Sequence, residues 1–280
     1  MVSYVAMLDV PKELIGHLAR LLAAHRKTLG THRGRRALTC HRQALLILTW
    51  MRKDEDKTLL AAGFGISRAT VYRYLTEGIT VLAGQAPQLH QALLQAADDG
   101  YAYVILDGKL FRTDRCAPLT LNRNGKPVHA WYSGKHRAFG GNIQAIIRPD
   151  GLPLWTSPVD VGRTHDSAMA AHHDIYATCY WAARQLGLPT LADSGYHGAG
   201  PGIHTPIKLP AGATQLPPDQ QAYNQLQRGL RAPGERGFAL LVGRWKALRR
   251  ITASPSRIGH LVKAALALTH YEHRHTPTHH

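Results

Sequence analysis

Two short apolar runs end in an aspartate followed closely by glycine. One is Tyr103-Val104-Ile105-Leu106-Asp107-Gly108, the other Pro189-Thr190-Leu191-Ala192-Asp193-Ser194-Gly195. Each reads as a buried strand that delivers a carboxylate to the rim of a sheet, with glycine letting the backbone turn at once. One such aspartate is better explained by a turn. Two of them in a strongly basic chain point to metal-assisted chemistry on a polyanion. A third carboxylate is Glu235, with Phe238, Val242 and Trp245 three, seven and ten residues beyond it on the same side of an expected helix. A carboxylate buried on an apolar face is costly unless something neutralises it. A metal ion shared with Asp107 and Asp193 would do so; a first-turn glutamate favoured by the helix dipole is the equal alternative. Asp166, in Thr164-His165-Asp166, either caps the helix after it or faces the same site, and ranks second as a metal ligand.

Composition bounds the partner. The chain has 280 residues, 44% hydrophobic, with a formal net charge of +16. That length suits one large domain, or a small and a medium one. The charge favours nucleic acid or an anionic membrane surface. No apolar run is long enough to span a bilayer, and the first residues lack the basic flank and apolar core of a signal peptide. The expectation is therefore nucleic acid as partner, narrowed to double-stranded DNA by the helix-turn-helix and the family resemblance that follow, with no membrane and a cytoplasmic, nucleoid-associated location. Cys40, Cys116 and Cys179 are scattered without zinc-site spacing and read as reduced thiols. Five of the 18 histidines crowd residues 270–280, which read as a frayed polar tail or an adventitious metal binder.

The elements that must position these residues fall into two groups. In the first, Pro11 to Leu29 is helical, with Leu14, Leu18, Leu21 and Leu22 at helical spacing. A basic loop with Arg26, Lys27, His32, Arg33, Arg35 and Arg36 either touches phosphates or is solvated. Thr39 caps the next helix. Then Lys57 to Leu75 has helix-turn-helix grammar. A short helix stops near Gly63, a turn passes Phe64 and Gly65, and Ser67 caps a second helix that carries Val71, Leu75 and Ile79 inward. Arg68 and Thr70 can hydrogen-bond base edges and Arg73 can reach a phosphate. Leu82 to Ala97 is helical, with Leu89, Leu93 and Leu94 on one face, and Asp98-Asp99-Gly100 ends it. The expected division is a helical DNA-binding domain over 1–98, a catalytic domain over 99–272 and a tail over 273–280.

In the second group the Asp107 strand runs into an antiparallel meander, Lys126 to Trp131, then Phe139 to Ile147, then a strand from Leu152. Ile143, Ala145 and Ile147 alternate onto one face. Lys135, His136 and Arg137 lie at its mouth. Lys208 adds positive charge at the same rim. Gln215 to Leu230 is a polar helix with Tyr223, Leu226 and Leu230 on one face, and the Glu235 helix follows.

The order strand-Asp, antiparallel strands, strand-Asp, helix-Glu resembles the RNase H-like core of bacterial insertion-sequence transposases with a DDE site. The quoted motifs are Leu106-Asp107-Gly108, Thr164-His165-Asp166, Ala192-Asp193-Ser194-Gly195-Tyr196, and the helix with Glu235, Phe238, Trp245 and Lys246. The resemblance covers about residues 40–272. It implies an α+β chain, helical helix-turn-helix first and a mixed-sheet RNase H-like domain second. It implies Asp107, Asp193 and Glu235 as catalytic triad and ligands of two Mg2+ ions, or Mn2+, since hard carboxylate oxygens suit both. Gly234, Gly237 and Gly243 depart from a strong helix around Glu235. Lys135, His136, Arg137, Lys208, Lys246 and Arg249 would meet the DNA backbone. The implied activity is DNA cleavage at element ends and joining of the 3′-hydroxyl to target DNA, with a possible homo-oligomer on DNA. A DNA-binding regulator without chemistry and a nuclease without strand transfer are the alternatives.

Overall fold

A computed structural model describes residues 7–32, 34–114, 116–122 and 124–275. Arg33 of the basic loop, and residues 276–280 of the expected tail, lie outside the described residues. The elements are α1 (Lys12–Thr28), α2 (Cys40–Lys53), α3 (Lys57–Phe64), α4 (Arg68–Ala83), α5 (Leu89–Asp98), β1 (Val104–Arg112), β2 (Leu119–Leu121), β3 (Pro127–His129), β4 (Tyr132–Ser133), β5 (Ala138–Ile147), β6 (Pro153–Thr156), β7 (Asp160–Val161), α6 (Asp166–His172), α7 (Ile175–Gln185), β8 (Thr190–Ala192), β9 (Ile203–His204), α8 (Pro218–Arg231), α9 (Gly234–Arg244) and α10 (Ile258–His275). The last helix reaches His275, so the expected tail is shorter than the sequence suggested.

The chain forms two compact units. The first holds residues 1–86, 241–249 and 260–280; the second holds 87–240 and 250–259. This differs from the expected boundary at residue 98. The reason is α5, whose Leu89, Ala92, Leu93 and Ala96 are buried with Val104, Leu106 and Ile146 of the sheet. Its apolar stripe covers a sheet face that water would otherwise reach. Leu94, expected on that stripe, is instead 37% exposed.

Within the first unit, α2, α3 and α4 each start at a side-chain cap, whereas α1 starts after Pro11 without one. Thr39 accepts from the Arg42 amide at the start of α2, Asp56 from Thr58 and Leu59 at α3, and Ser67 from Thr70 at α4. Gly65 closes α3 with φ 66°, a conformation glycine adopts without a Cβ penalty. Gly78 lets α4 approach α2, since a Cβ there would fall 2.2 Å from Ile47 Cδ1. Glu77 joins α4 to its surroundings through a paired contact with Arg36 at 3.1 and 3.2 Å and through Gln43 at 3.0 Å. Further along the chain, Arg244 clasps Glu272 at 2.6 and 2.8 Å and Asp9 at 2.8 Å, and the buried Trp245 indole donates to Thr269 at 2.9 Å.

The second unit is built on a mixed sheet in the order β4-β5-β1-β8-β9, with β6 and β7 also pairing β5. β1 is antiparallel to β5, β5 to β6, while β8 is parallel to β1 and β9 to β8. This is the RNase H-like arrangement, an antiparallel meander extended by parallel strands. β2 and β3 pair as a separate hairpin. One sheet face, with Val104 and Leu106, packs on α5 and α7 residues such as Leu93, Cys179 and Ala182. The other face, with Ile105 and Ile147, meets the start of α9. There a Cβ on Gly234 would fall 2.8 Å from Ile105 Cγ2, and one on Gly237 2.7 Å from Ile147 Cδ1. The glycines expected only to weaken this helix are what lets it lie flat on the sheet.

Candidate active site

The strand register brings the two predicted aspartates together. Leu106 of β1 pairs with Ala192 of β8, so the next residues, Asp107 and Asp193, continue side by side on parallel strands. Asp107 does not end its strand as the sequence suggested. β1 runs on to Arg112, and Gly108 makes no turn. The glycine has a different physical reason. A Cβ at Gly108 would lie 2.7 Å from both Asp166 Oδ1 and Gln144 Nε2. Asp193 does terminate its strand, and its carboxylate caps a short turn by accepting from the Gly195 amide at 2.8 Å.

The electrostatics single out Asp107. Burial pushes its carboxyl up to about 6, and the nearby charges of Asp193 and Asp166 add to the rise. The Gly108 amide, at 2.9 Å, and the Arg231 guanidinium oppose it. Asp107 and Asp193, side by side, therefore share a region where the Arg231 charge alone among the basic groups opposes the rise at Asp107. Hard oxygen donors in that state suit a divalent cation. The fit is chemical: the donors are carboxylates alone, and the one most buried is the one whose ionisation lacks compensation.

Asp166 lies on the opposite face of β1 from Asp107, beside Gly108, and both its oxygens are engaged. Oδ1 accepts from Asn142 at 2.8 Å and Gln144 at 3.2 Å; Oδ2 accepts from Lys135 at 3.2 Å. Gln144 in turn accepts a short hydrogen bond from the Tyr196 hydroxyl. Tyr196 is buried, and burial raises its pKa well above the usual 10. This polar chain ties the turn after Asp193 to the strand beside Asp107. Asn142 and Gln144 escaped sequence reasoning, because a polar residue inside an apolar strand carries no signal until its partner is known; Tyr196 stood in the motif after Asp193 without a role of its own. Gln227 and Arg231 were missed likewise. The expected apolar face of α8 is inverted, with Leu226 63% and Tyr223 37% exposed while Gln227 is buried. Gln227 donates to the carbonyls of Ala192, at 3.3 Å, and His204, at 2.6 Å, and so holds the strand end that carries Asp193.

Glu235 sits in the first turn of α9, next to Gly234, whose contact Ile105 is two residues before Asp107 on the same strand. Its side chain is exposed, while Gly234, Gly237 and Phe238 are the buried residues. The argument that a buried Glu235 demands a neutralising metal therefore falls. Gly234 and Gly237 make the close approach to the sheet, and Phe238, Leu241 and Trp245 are buried as well, which leaves Glu235 just outside the buried stripe.

The predicted DNA contacts divide between the units. Arg68, Thr70 and Arg73 lie in the first turns of α4, Arg73 donating to Thr70 Oγ1 at 3.0 Å. Arg68 and Lys57 lie over the ring of Tyr72, each 5.7 Å from its centre, and Tyr72 is 45% exposed. This flat cationic face was not foreseen, since Lys57 and Tyr72 sit on different helices. Lys135, His136, Arg137 and Lys208 are exposed in the second unit; Lys246 and Arg249 are exposed in the first. His136 is held below its ordinary pKa by partial burial and then by the Lys135 charge.

Residues 36–88 match the helix-turn-helix of DDE superfamily endonuclease, and residues 106–270 match the DDE superfamily endonuclease itself. No curated protein matches. Among solved structures, the chain is similar to a Mos1 transposase paired-end complex with left transposon end, at 12% identity over 95% of this chain and 97% of that one, with a TM-score of 0.22. The second match spans more than half of the chain and contains Asp107, Asp166, Asp193 and Glu235, and the first frames Arg68, Thr70 and Arg73. With a DNA-binding helix-turn-helix preceding a mixed sheet that pairs two aspartates, this chain belongs to the DDE superfamily endonucleases.

Proposed function

We propose that the chain is a transposase that binds the ends of its insertion sequence, cleaves there, and joins the freed 3′-hydroxyl to target DNA. The observation that carries this reading is the juxtaposition of Asp107 and Asp193 on adjacent parallel strands, in a chain with its own helix-turn-helix. Asp107 and Asp193 hold divalent ions, Mg2+ or Mn2+, with Glu235 as the third carboxylate. Bound there, such ions would supply activation of the attacking water or 3′-hydroxyl and would offset charge on the leaving oxygen. The protein's own part is positioning. The Gly108 amide orients Asp107, the Gly195 amide orients Asp193, and Gln227 holds the carbonyl just before Asp193. Arg231, whose charge is felt at Asp107, meets the scissile phosphate from the same side. Lys135, His136, Arg137, Lys208, Lys246 and Arg249 bind the backbone, while Arg68, Thr70 and Arg73 read the element ends.

The test is cleavage of a supercoiled plasmid carrying the element's ends, with and without Mg2+, for wild type, Asp107→Asn and Asp193→Asn. Mg2+-dependent cuts at the ends, absent in both variants while binding persists, are expected. Cuts without strand-transfer products would leave a nuclease. Binding without any cut would leave a regulator. Full cleavage by Asp107→Asn would remove the assigned site.

A further inference from the structure

A second group of donors lies away from these carboxylates. Asp160 of β7, His172 at the end of α6 and His173 just after it each offer one atom, all within 4.8 Å of one another. His172 Nδ1 and His173 Nε2 are each 3.4 Å from the same oxygen, Asp160 Oδ2. The rings lie 4.9 Å apart and tilted by 34°. Asp160 and His173 are mostly covered, with side chains 16% and 15% exposed, whereas His172 is 71% exposed.

These spacings are informative. An imidazolium–carboxylate hydrogen bond closes to about 2.7–2.9 Å. Both separations here are 3.4 Å, longer than that, although His172 Nδ1 remains within hydrogen-bond reach of Asp160 Oδ2. These two nitrogen–oxygen separations match one edge length of a tetrahedron whose bonds are about 2.0–2.1 Å, roughly 3.4 Å, as for Zn2+ bound by imidazole nitrogen and carboxylate oxygen, and the two nitrogens lie within 4.8 Å of each other. The donor set of two nitrogens and one oxygen also suits Zn2+ and not Mg2+, which prefers oxygen alone.

The place in the fold supplies a reason for such a site. α6 has seven residues, too few to persist without tertiary support. Its first residue, Asp166, is held to the sheet by Asn142 and Gln144. Asp160 pairs across the sheet with that same Asn142. A metal ion on Asp160, His172 and His173 would fasten the other end of α6 to the neighbouring strand. The location is separate from the Asp107 site. Asn142 and the Asp107 partner Ala145 are three residues apart on β5, and β7 and β1 flank β5. Standard strand dimensions then put Asp160 on the order of 14 Å from Asp107.

We infer that Asp160, His172 and His173 form a zinc site that staples α6 to β7, distinct from the carboxylates that serve cleavage. A water completes the tetrahedron from the exposed His172 side.

The test counts zinc bound to the full-length, untagged chain by competition with a chromophoric chelator, alongside thermal unfolding with and without Zn2+. The C-terminal histidines and the three cysteines bind equally in every variant, so the readout is a difference. The His172→Gln/His173→Gln variant is expected to bind one equivalent fewer than wild type and to lose a zinc-dependent rise of several degrees in Tm. Asp160→Asn, a smaller change, is expected to lose the same equivalent and serves if the double variant does not fold. Asp107→Asn is expected to keep it, and Mg2+ to leave it unfilled. Equal zinc stoichiometry and an equal Tm shift in wild type and a folded Asp160→Asn variant would overturn the inference. Because no arm reads cleavage, its failure is distinct from failure of the transposase reading.

Discussion

Asp107 carries an energetic signature that can be measured without substrate. Its carboxyl is raised from 3.8 to about 6 by burial and by Asp193 and Asp166. Between those values the folded protein keeps a proton that the unfolded chain has released, so metal-free stability falls as pH rises from about 4 to about 6. Above that the penalty is complete. In chelator, Asp107→Asn is therefore expected to unfold at a higher temperature than wild type at pH 7.5, the gap closing by pH 4. A gap independent of pH would contradict the burial assignment. Beside it, Gly108→Ala sets a Cβ against Asp166 and Gln144. Overpacking of this kind costs about 1–3 kcal/mol, read as a lower urea midpoint, and it is expected to depress cleavage by displacing the strand that carries Asp107. These two residues show the limits of sequence reading. The aspartate stood out because a charge follows an apolar run. The reason for its glycine did not, because the atoms that exclude a Cβ come from 36 and 58 residues further along the chain.

At the scale of elements, the helix-turn-helix was legible because its signals are local. The caps Asp56 and Ser67 and the left-handed Gly65 act within a few residues of themselves. Ser67→Ala is expected to cost about 1 kcal/mol, measured as a lower unfolding midpoint of the first unit, with weaker DNA binding. What periodicity misjudged were the helices on the sheet. In α8 the buried residue is Gln227, and in α9 the contact is made by Gly234 and Gly237. Apolar spacing identifies a helix, but the side that is buried depends on what it lies against. Arg68→Ala and Tyr72→Ala should each weaken binding to element ends in a fluorescence anisotropy titration, through loss of the cationic face over Tyr72. Unchanged affinity in both would place recognition elsewhere.

For the whole molecule the net charge of +16 is the dominant fact. It predicts DNA affinity that falls steeply with salt, through release of counterions. Removing one phosphate contact, as in Lys208→Ala, is expected to lower the slope of log affinity against log salt by about one. A slope unchanged by Lys208→Ala would remove that residue from the interface. Among the described residues no helix is long and apolar enough to cross a membrane. The two units are each assembled from separated stretches of chain, because residues 241–249 and 260–275 group with the N-terminal helices.

The amino-acid sequence by itself determined the helix-turn-helix, the basic character, the order of strands and helices, and the two strand-borne aspartates. Each of these rests on neighbours within a few residues or on a simple sum over the chain. Tertiary structure alone decided that Asp107 and Asp193 are adjacent, since that needs strands 86 residues apart to pair in parallel register. It also decided that Asp166 is held in a buried polar network, that α5 belongs to the sheet, and that Asp160 meets His172 and His173. Those outcomes depend on contacts between distant segments, where burial and the exclusion of water set which polar groups must find each other.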